Sequence, residues 1–407
     1  YVVWHPEDAD GAEMAETIIA HFHGDAFSGL IGGAIEVYVR SAPWREPGGP
    51  PRPIPLPGDV APPEPAGFVA IVPLLGAAMS RAAAEAGSPW STYLTSLAAR
   101  AANDREHIQI FPAALDGDGF SGALSRMFGE RQALAAENAV AEEPEGRTSM
   151  LLRDLTQGLT QFMKGDITDP IRVFISHTKR WSEEAERETR ALINTVRQVI
   201  CDTRLRFFFD AHSLQSGTDW ARELDRSAST CALLAVRTDL YASRAWCQRE
   251  VVLAKEHGLP VVTLQALETG EARGSFTLDH VPAVPARRRG KAWDRASILR
   301  ALGVLVDESL KRELWRWQAA MAMACGVGPA VDWWAPHAPE PLTLARWLTE
   351  DREGQKAQRD GTAPLILHPD PLLTDTERAA LERMANLSGL PGIDPLTPRT
   401  LAARGGV

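Results

Sequence analysis

The chain has 407 residues, 44% of them hydrophobic and 24% charged, enough for two or three globular domains with buried cores. Its net charge of −10 disfavours a general nucleic-acid or membrane-surface binder. Four cysteines (Cys201, Cys231, Cys247, Cys325) are too few and too scattered for a disulfide framework or a metal site and fit a reducing cytoplasm, while no secretory signal and no uncharged apolar run of about 18 residues is visible.

Read in chain order, residues 1–145 alternate strands and helices. Tyr1–Trp4 is expected as a short buried strand and Ala12–His23 as a helix, with Met14, Ile18, Ile19 and Phe22 at helical spacing. Ile35–Val39 is expected as a second strand. Pro47–Pro65 is too rich in Pro and Gly for either element and reads as a loop. A strand over Phe68–Leu75, a helix over Trp90–Asn103 and a strand over His107–Pro112 follow, so this section reads as a parallel sheet with helices on its faces. Gly122–Ala141 can form a helix, Glu142–Arg147 reads as a linker, and Met150–Lys164 as an amphipathic helix, so 146–169 is taken as linker and helix.

A second alternation fills 170–293. Strands are expected at Ile171–Ser176, Leu205–Phe209, Cys231–Arg237 and Pro260–Leu264, and helices at Glu183–Ile200, Trp220–Ser227 and Trp246–His257. Gly258 stands where a left-handed helix cap would go. Short buried strands alternating with helices imply a doubly wound, flavodoxin-like α/β sheet. Residues 294–407 read as a mostly helical region, with helices at Asp294–Val306 and Ser309–Met323 and a short strand at Leu365–His368. Thr374 and Glu377 frame a capping box, and Pro391–Val407 is expected to be poorly ordered.

The chemistry-bearing residues concentrate in 170–265. A strand ends in Phe174-Ile-Ser-His177, a second in Phe207-Phe-Phe-Asp210, and Leu214-Gln-Ser-Gly217-Thr-Asp-Trp220 follows. Cys231–Val236 then runs through Leu240-Tyr-Ala-Ser243 into Trp246-Cys-Gln-Arg-Glu250. This ordered series resembles the TIR (Toll/interleukin-1 receptor) domain. The resemblance implies a bacterial enzyme that splits NAD⁺ into nicotinamide and ADP-ribose or a cyclised form, with Glu250 as the catalytic residue. NAD⁺ is then the substrate, and no separate cofactor or metal is called for. One carboxylate suffices chemically. The nicotinamide of NAD⁺ is a pyridinium and leaves as a neutral ring, so the proton donor of ordinary glycosidases is dispensable. What is left is to stabilise a ribosyl cation, which an acidic group at the carboxyl end of the sheet can do. The competing reading of Glu250 is a solvated acid in the first turn of a helix, where the dipole favours it.

The resemblance further places Ser176, His177, Thr178 and Lys179 on a loop bordering the nucleotide. Lys179 can meet a phosphate or be merely solvated. Phe209 and Asp210 end the second strand; an aromatic there can stack on a base or be buried sheet. Gly217 suits a turn, and Trp220 is an anchor either for the loop over Leu214–Trp220, which in relatives shifts between closed and assembled states, or for a neighbouring subunit. Trp246 can wall the nicotinamide pocket or pack the core, and Cys247 reads as a packed thiol because no His and Asn constellation accompanies it. The partners implied are NAD⁺, other copies of the chain through TIR–TIR contacts, and an activating protein or ligand; a bacterial anti-phage effector is the implied role. A non-enzymatic adaptor joining TIR domains is the alternative. Ser88-Pro-Trp90 in the first section echoes the approach to Trp246, but puts Leu94 where Glu250 stands, so that section is expected to be a catalytically silent TIR-like copy. The basic run Arg287–Lys291 reads as a solvated loop.

Overall fold

A computed structural model describes residues 1–24, 26–27, 35–60, 66–115, 122–128, 134, 144–178, 183–208 and 231–405. The chain divides into two compact units, the first running to Thr168 and the second from Asp169. Both are α/β with parallel sheets.

In the first unit, β1 (Val2–Val3) lies between β2 (Val39–Arg40) and β3 (Val69–Leu75), with β4 (Ile108–Ile110) beyond β3, all parallel. β5 (Ala113–Ala114) continues along β3 after Phe111-Pro112. Helix α1 (Ala9–Phe22) buries Ile18 and Phe22 as their spacing predicts. Helix α2 (Ala77–Ala84) buries Ala78, Met79 and Ala83, and the Asp8 carboxylate starts it by accepting from the Ala78 and Met79 amides at 2.8 and 3.0 Å. Helix α3 (Pro89–Asn103) carries Ser88 as its cap and Pro89 at the first position, and it buries Trp90 and Leu94. The expected strand at Ile35–Val39 shrinks to Val39–Arg40, since β1 offers only two residues to pair with. The helix expected over Gly122–Ala141 is described as α4 (Gly122–Phe128); at Leu134 the expectation is corrected, because that residue forms a parallel bridge to Ala113 with its amide donating to the Pro112 carbonyl at 2.7 Å, and the other residues lie outside the described ones. The linker expected at Glu142–Arg147 is corrected: helix α5 (Pro144–Lys164) begins there, with Pro144 at its first position, and falls in the first unit.

The second unit is built on β6 (Arg172–His177), β7 (Arg206–Phe208), β8 (Cys231–Arg237), β9 (Val261–Gln265) and β10 (Ala283–Pro285). All pairings are parallel, and in chain order the strands run second, first, third, fourth, fifth across the sheet. The strand period of two sorts the side chains cleanly. Val173, Ile175, Ala232, Leu234 and Val236 face a core shared with α6 (Glu183–Cys201) and α8 (Arg295–Ala324). Phe174, Cys231, Leu233 and Ala235 face a second core under α7 (Ala245–Glu256). The helix expected at Trp220–Ser227 lies outside the described residues.

Residues from 294 onward differ most from expectation. The two helices expected there are one, α8, because Asp307-Glu308 contains no breaker. The region is not simply helical with one strand: after the two-stranded hairpin of β11 (Arg288–Arg289) and β12 (Ala292–Trp293), the strands β13 (Trp333–Trp334), β14 (Leu365–Leu367) and β15 (Asp394–Leu396) form a three-stranded parallel sheet. Around it lie α9 (Pro341–Glu350), α10 (Arg352–Asp360), α11 (Asp375–Leu387) and α12 (Pro398–Ala403). The tail expected to be poorly ordered supplies β15 and α12, held by pairing to Leu365–Leu367, which no local pattern announces. Among the described residues no helix is long and apolar enough to cross a membrane.

Gly258 closes α7 with φ +64°, and the Leu259 amide donates back to the Ala254 carbonyl at 2.9 Å, the left-handed cap its position predicts. A Cβ there would lie 2.9 Å from Pro336 Cβ. Gly258→Ala is expected to cost about 1–2 kcal/mol from backbone strain alone, lowering the melting temperature by roughly 2–8 °C in a thermal melt.

Candidate functional site

Helix α7 and strand β6 bring the central pair together. On β6, Ser176 alternates with Ile175 and so points to the α7 side, next after Phe174. On α7, Cys247, Glu250, Val251 and Ala254 are the buried stripe at helical spacing. Glu250 is the sixth residue of the helix and only 4% exposed, so the solvated first-turn reading does not hold.

The Ser176 hydroxyl donates to Glu250 Oε2 at 2.5 Å and lies 2.6 Å from the Tyr241 hydroxyl. With Ser176 donating to the carboxylate, Tyr241 is left to donate to Ser176. The result is a buried relay from Tyr241 through Ser176 to Glu250, with the negative end at the carboxyl end of β6. Ser176 pairs in register with Ala235 of β8, so this point lies at the centre of the sheet. Burial pushes the Tyr241 phenol well above its usual range, with the neighbouring Cys247 and Glu250 adding to the shift against the Ser176 bond. Tyr241 therefore works as a proton-bearing donor, not as a base.

Ser176 was expected to border the nucleotide; its side chain is fully buried and its hydroxyl is engaged by Glu250 and Tyr241. Thr178, two residues on and on the same side, is also buried and lies 3.0 Å from the Thr238 hydroxyl. His177 between them is half-buried; its Nδ1 donates to the Thr178 carbonyl at 3.0 Å, and its own carbonyl accepts from the Cys247 thiol at 3.5 Å. Trp246 is 51% exposed, so it does not pack the core, and the Arg249 guanidinium sits 6.0 Å from its ring centre. Lys179, Phe209, Asp210, Gly217 and Trp220 lie outside the described residues. Among the described residues no three side chains are grouped to hold a metal.

Tyr241 is the member that sequence reasoning missed. It sits in the single 3₁₀ turn after β8, in the quoted Leu240–Ser243 element, and a Tyr followed by small Ala242 and Ser243 was the available signal. Its complete burial depends on Phe174, Leu233 and Val251 from other elements.

Two expectations about neighbouring chemistry also resolve. Arg288, in the hairpin formed by β11 (Arg288–Arg289) and β12 (Ala292–Trp293), pairs with Glu188 and Glu268 and lies 4.2 Å over Trp293, so its charge is already answered. Cys247 is buried, and its thiol is pushed up to about 12 by burial first and by the Glu250 charge second. It stays protonated at neutral pH and is a poor nucleophile. The raised value also sets a sign. Below the ordinary value of 9.0 both folded and unfolded thiols hold the proton, and the contribution to stability is intact; between there and about 12 only the unfolded chain releases it, so stability falls as pH rises. In native protein at pH 8, iodoacetamide is expected to label the exposed Cys201 and Cys325 and to spare Cys231 and Cys247, with all four labelled in denaturant. Labelling of Cys247 as fast as Cys201, read by peptide mass spectrometry, would contradict this placement.

No protein-family model matches the chain, and no curated protein matches it.

Proposed function

We propose that the second unit is a flavodoxin-like TIR domain and that the protein is an NAD⁺ glycohydrolase, with Glu250 as its catalytic carboxylate. The strand order second-first-third-fourth-fifth supports this reading, because open sheets of that order bind ligands at the carboxyl ends of their strands where the order reverses. That reversal falls between β6 and β8, which is where Glu250 meets Ser176. This contact is the observation that carries the proposal. A carboxylate is placed by a hydroxyl relay at the sheet's switch point, on the buried stripe of its helix.

The chemistry is cleavage of the bond between ribose C1′ and the pyridinium nitrogen. The bonding pair leaves with nicotinamide, which becomes neutral, and positive charge grows on C1′ and the ring oxygen. A preorganised carboxylate offsets that charge without reorganising at the moment of reaction. Water then adds to C1′ and loses a proton to give ADP-ribose, or a base nitrogen of the same molecule adds to give a cyclic product. With Glu250 only 4% exposed, the resting chain holds its carboxylate covered. An enzyme that is quiet until assembly or a trigger opens it fits a bacterial immune effector, since unrestrained NAD⁺ loss kills the cell. Self-association through TIR–TIR contacts is part of this reading.

The burial of Glu250 also favours one second reading, a TIR adaptor in which the carboxylate is structural. Following nicotinamide release from NAD⁺ across a range of protein concentrations separates the two. The enzyme predicts release that rises more steeply than protein concentration; association of chains with NAD⁺ untouched would favour the adaptor.

A further inference from the structure

Helix α7 is held at two places. Glu250 is held by Ser176; five residues on, about 7.5 Å along the axis, Lys255 is held by the C-terminal region. The Lys255 ammonium donates to Glu340 Oε2 at 2.7 Å and to the Asp279 carbonyl at 2.8 Å. Both charged side chains are buried, at 6% and 4% exposure. The next residue, Glu256, lies 3.8 Å from Arg346. Gly258 then abuts Pro336, so the C-terminal end of the helix is clamped by residues 336–346.

Glu340 is placed by its own helix. It is the cap residue of α9, and its amide donates to the Thr343 hydroxyl at 3.2 Å. Any shift of α9 is therefore felt at Lys255. A buried ion pair is a poor way to gain net stability, because desolvation offsets the attraction; burial here pushes Lys255 down and Glu340 up, each toward neutrality. An apolar pair would hold the two helices as well or better. What the ion pair adds is one geometry. A catalytic group needs that, since its placement must hold within about 0.5 Å.

We propose that Glu340, acting through Lys255, is a positioning residue for Glu250: the C-terminal region fixes the helix that carries the carboxylate and is its mechanical input. The proposal rests on the reading of Glu250 as catalytic. It commits residues 85 apart in sequence to one function.

Two variants of the full chain test it, Glu340→Gln and the apolar pair Lys255→Met with Glu340→Leu, the second chosen because it keeps the fold even if the first does not. Two readouts are taken: kcat and KM for nicotinamide release, and amide hydrogen exchange over residues 247–256. The expected result for the folded double variant is a kcat lower by about tenfold or more with KM within about twofold and parental α7 exchange, since the apolar pair holds the helix but not in the one geometry; Glu340→Gln, which strips the buried Lys255 ammonium of its carboxylate, is expected to speed α7 exchange at least about tenfold while β6 and β8 are unchanged. A folded double variant with parental kcat, or a folded Glu340→Gln variant with parental α7 exchange, would overturn the proposal. If the parent chain releases no nicotinamide, the catalytic reading fails by itself, and unchanged or accelerated α7 exchange in Glu340→Gln still decides whether Glu340 holds the helix.

Discussion

Glu250→Gln is expected to fold as the parent does and to lose nicotinamide release by at least about 10²–10³-fold, the usual cost of removing one preorganised group that answers transition-state charge. Gln is the same size, and its carbonyl oxygen can accept the Ser176 hydroxyl, so the contact at Glu250 Oε2 survives in outline. Only the negative charge is gone. A ribosyl cation forming beside a neutral amide has nothing to offset it, so the loss should fall on kcat with little change in KM. The adaptor reading predicts no release from parent or variant, and it predicts that self-association is equal in the two. A thermal melt within a few degrees of the parent is the control that makes the comparison valid.

Ser176→Ala should lower release by roughly 12- to 150-fold, the equivalent of losing one hydrogen bond to a charged group at about 1.5–3 kcal/mol. Two bonds are lost at once, since the Ser176 hydroxyl serves both the Glu250 carboxylate and the Tyr241 phenol. Tyr241→Phe removes only the outer bond and should cost less, about 2- to 12-fold. In a relay in which Tyr241 acts on Glu250 through Ser176, the double variant should be no worse than Ser176→Ala alone. Losses that multiply across the two variants would show that Tyr241 acts on the reaction by another route.

The strands that frame the site were legible because they are apolar runs: Arg172–His177 and Cys231–Arg237 stand within a residue of their expected bounds. The cap at Gly258 and the stripe of α6 follow from local chemistry in the same way. That Glu250 falls on the buried side of its helix was not legible. Trp246, one turn earlier, is the large apolar residue and would be expected inward, yet it is half exposed while the acid is buried. The hydroxyls of Ser176 and Tyr241 make that inversion affordable, and neither partner is near Glu250 in sequence. The C-terminal sheet escaped for a different reason. Its strands are two or three residues long, too short for an alternation to register, and they exist through pairing with one another. The Lys255–Glu340 pair likewise reads in sequence as two ordinary surface charges.

The proposed chemical step depends on a leaving group that departs as a neutral pyridine, so the most direct measurement compares NAD⁺ with NADH under conditions in which the chain self-associates. The reduced cofactor has the same ribose and phosphates but no cationic ring. Glu250-dependent release of nicotinamide from NAD⁺, with NADH left intact in the same time, is the result predicted. No release from NAD⁺, or cleavage of both at similar rates, would contradict it.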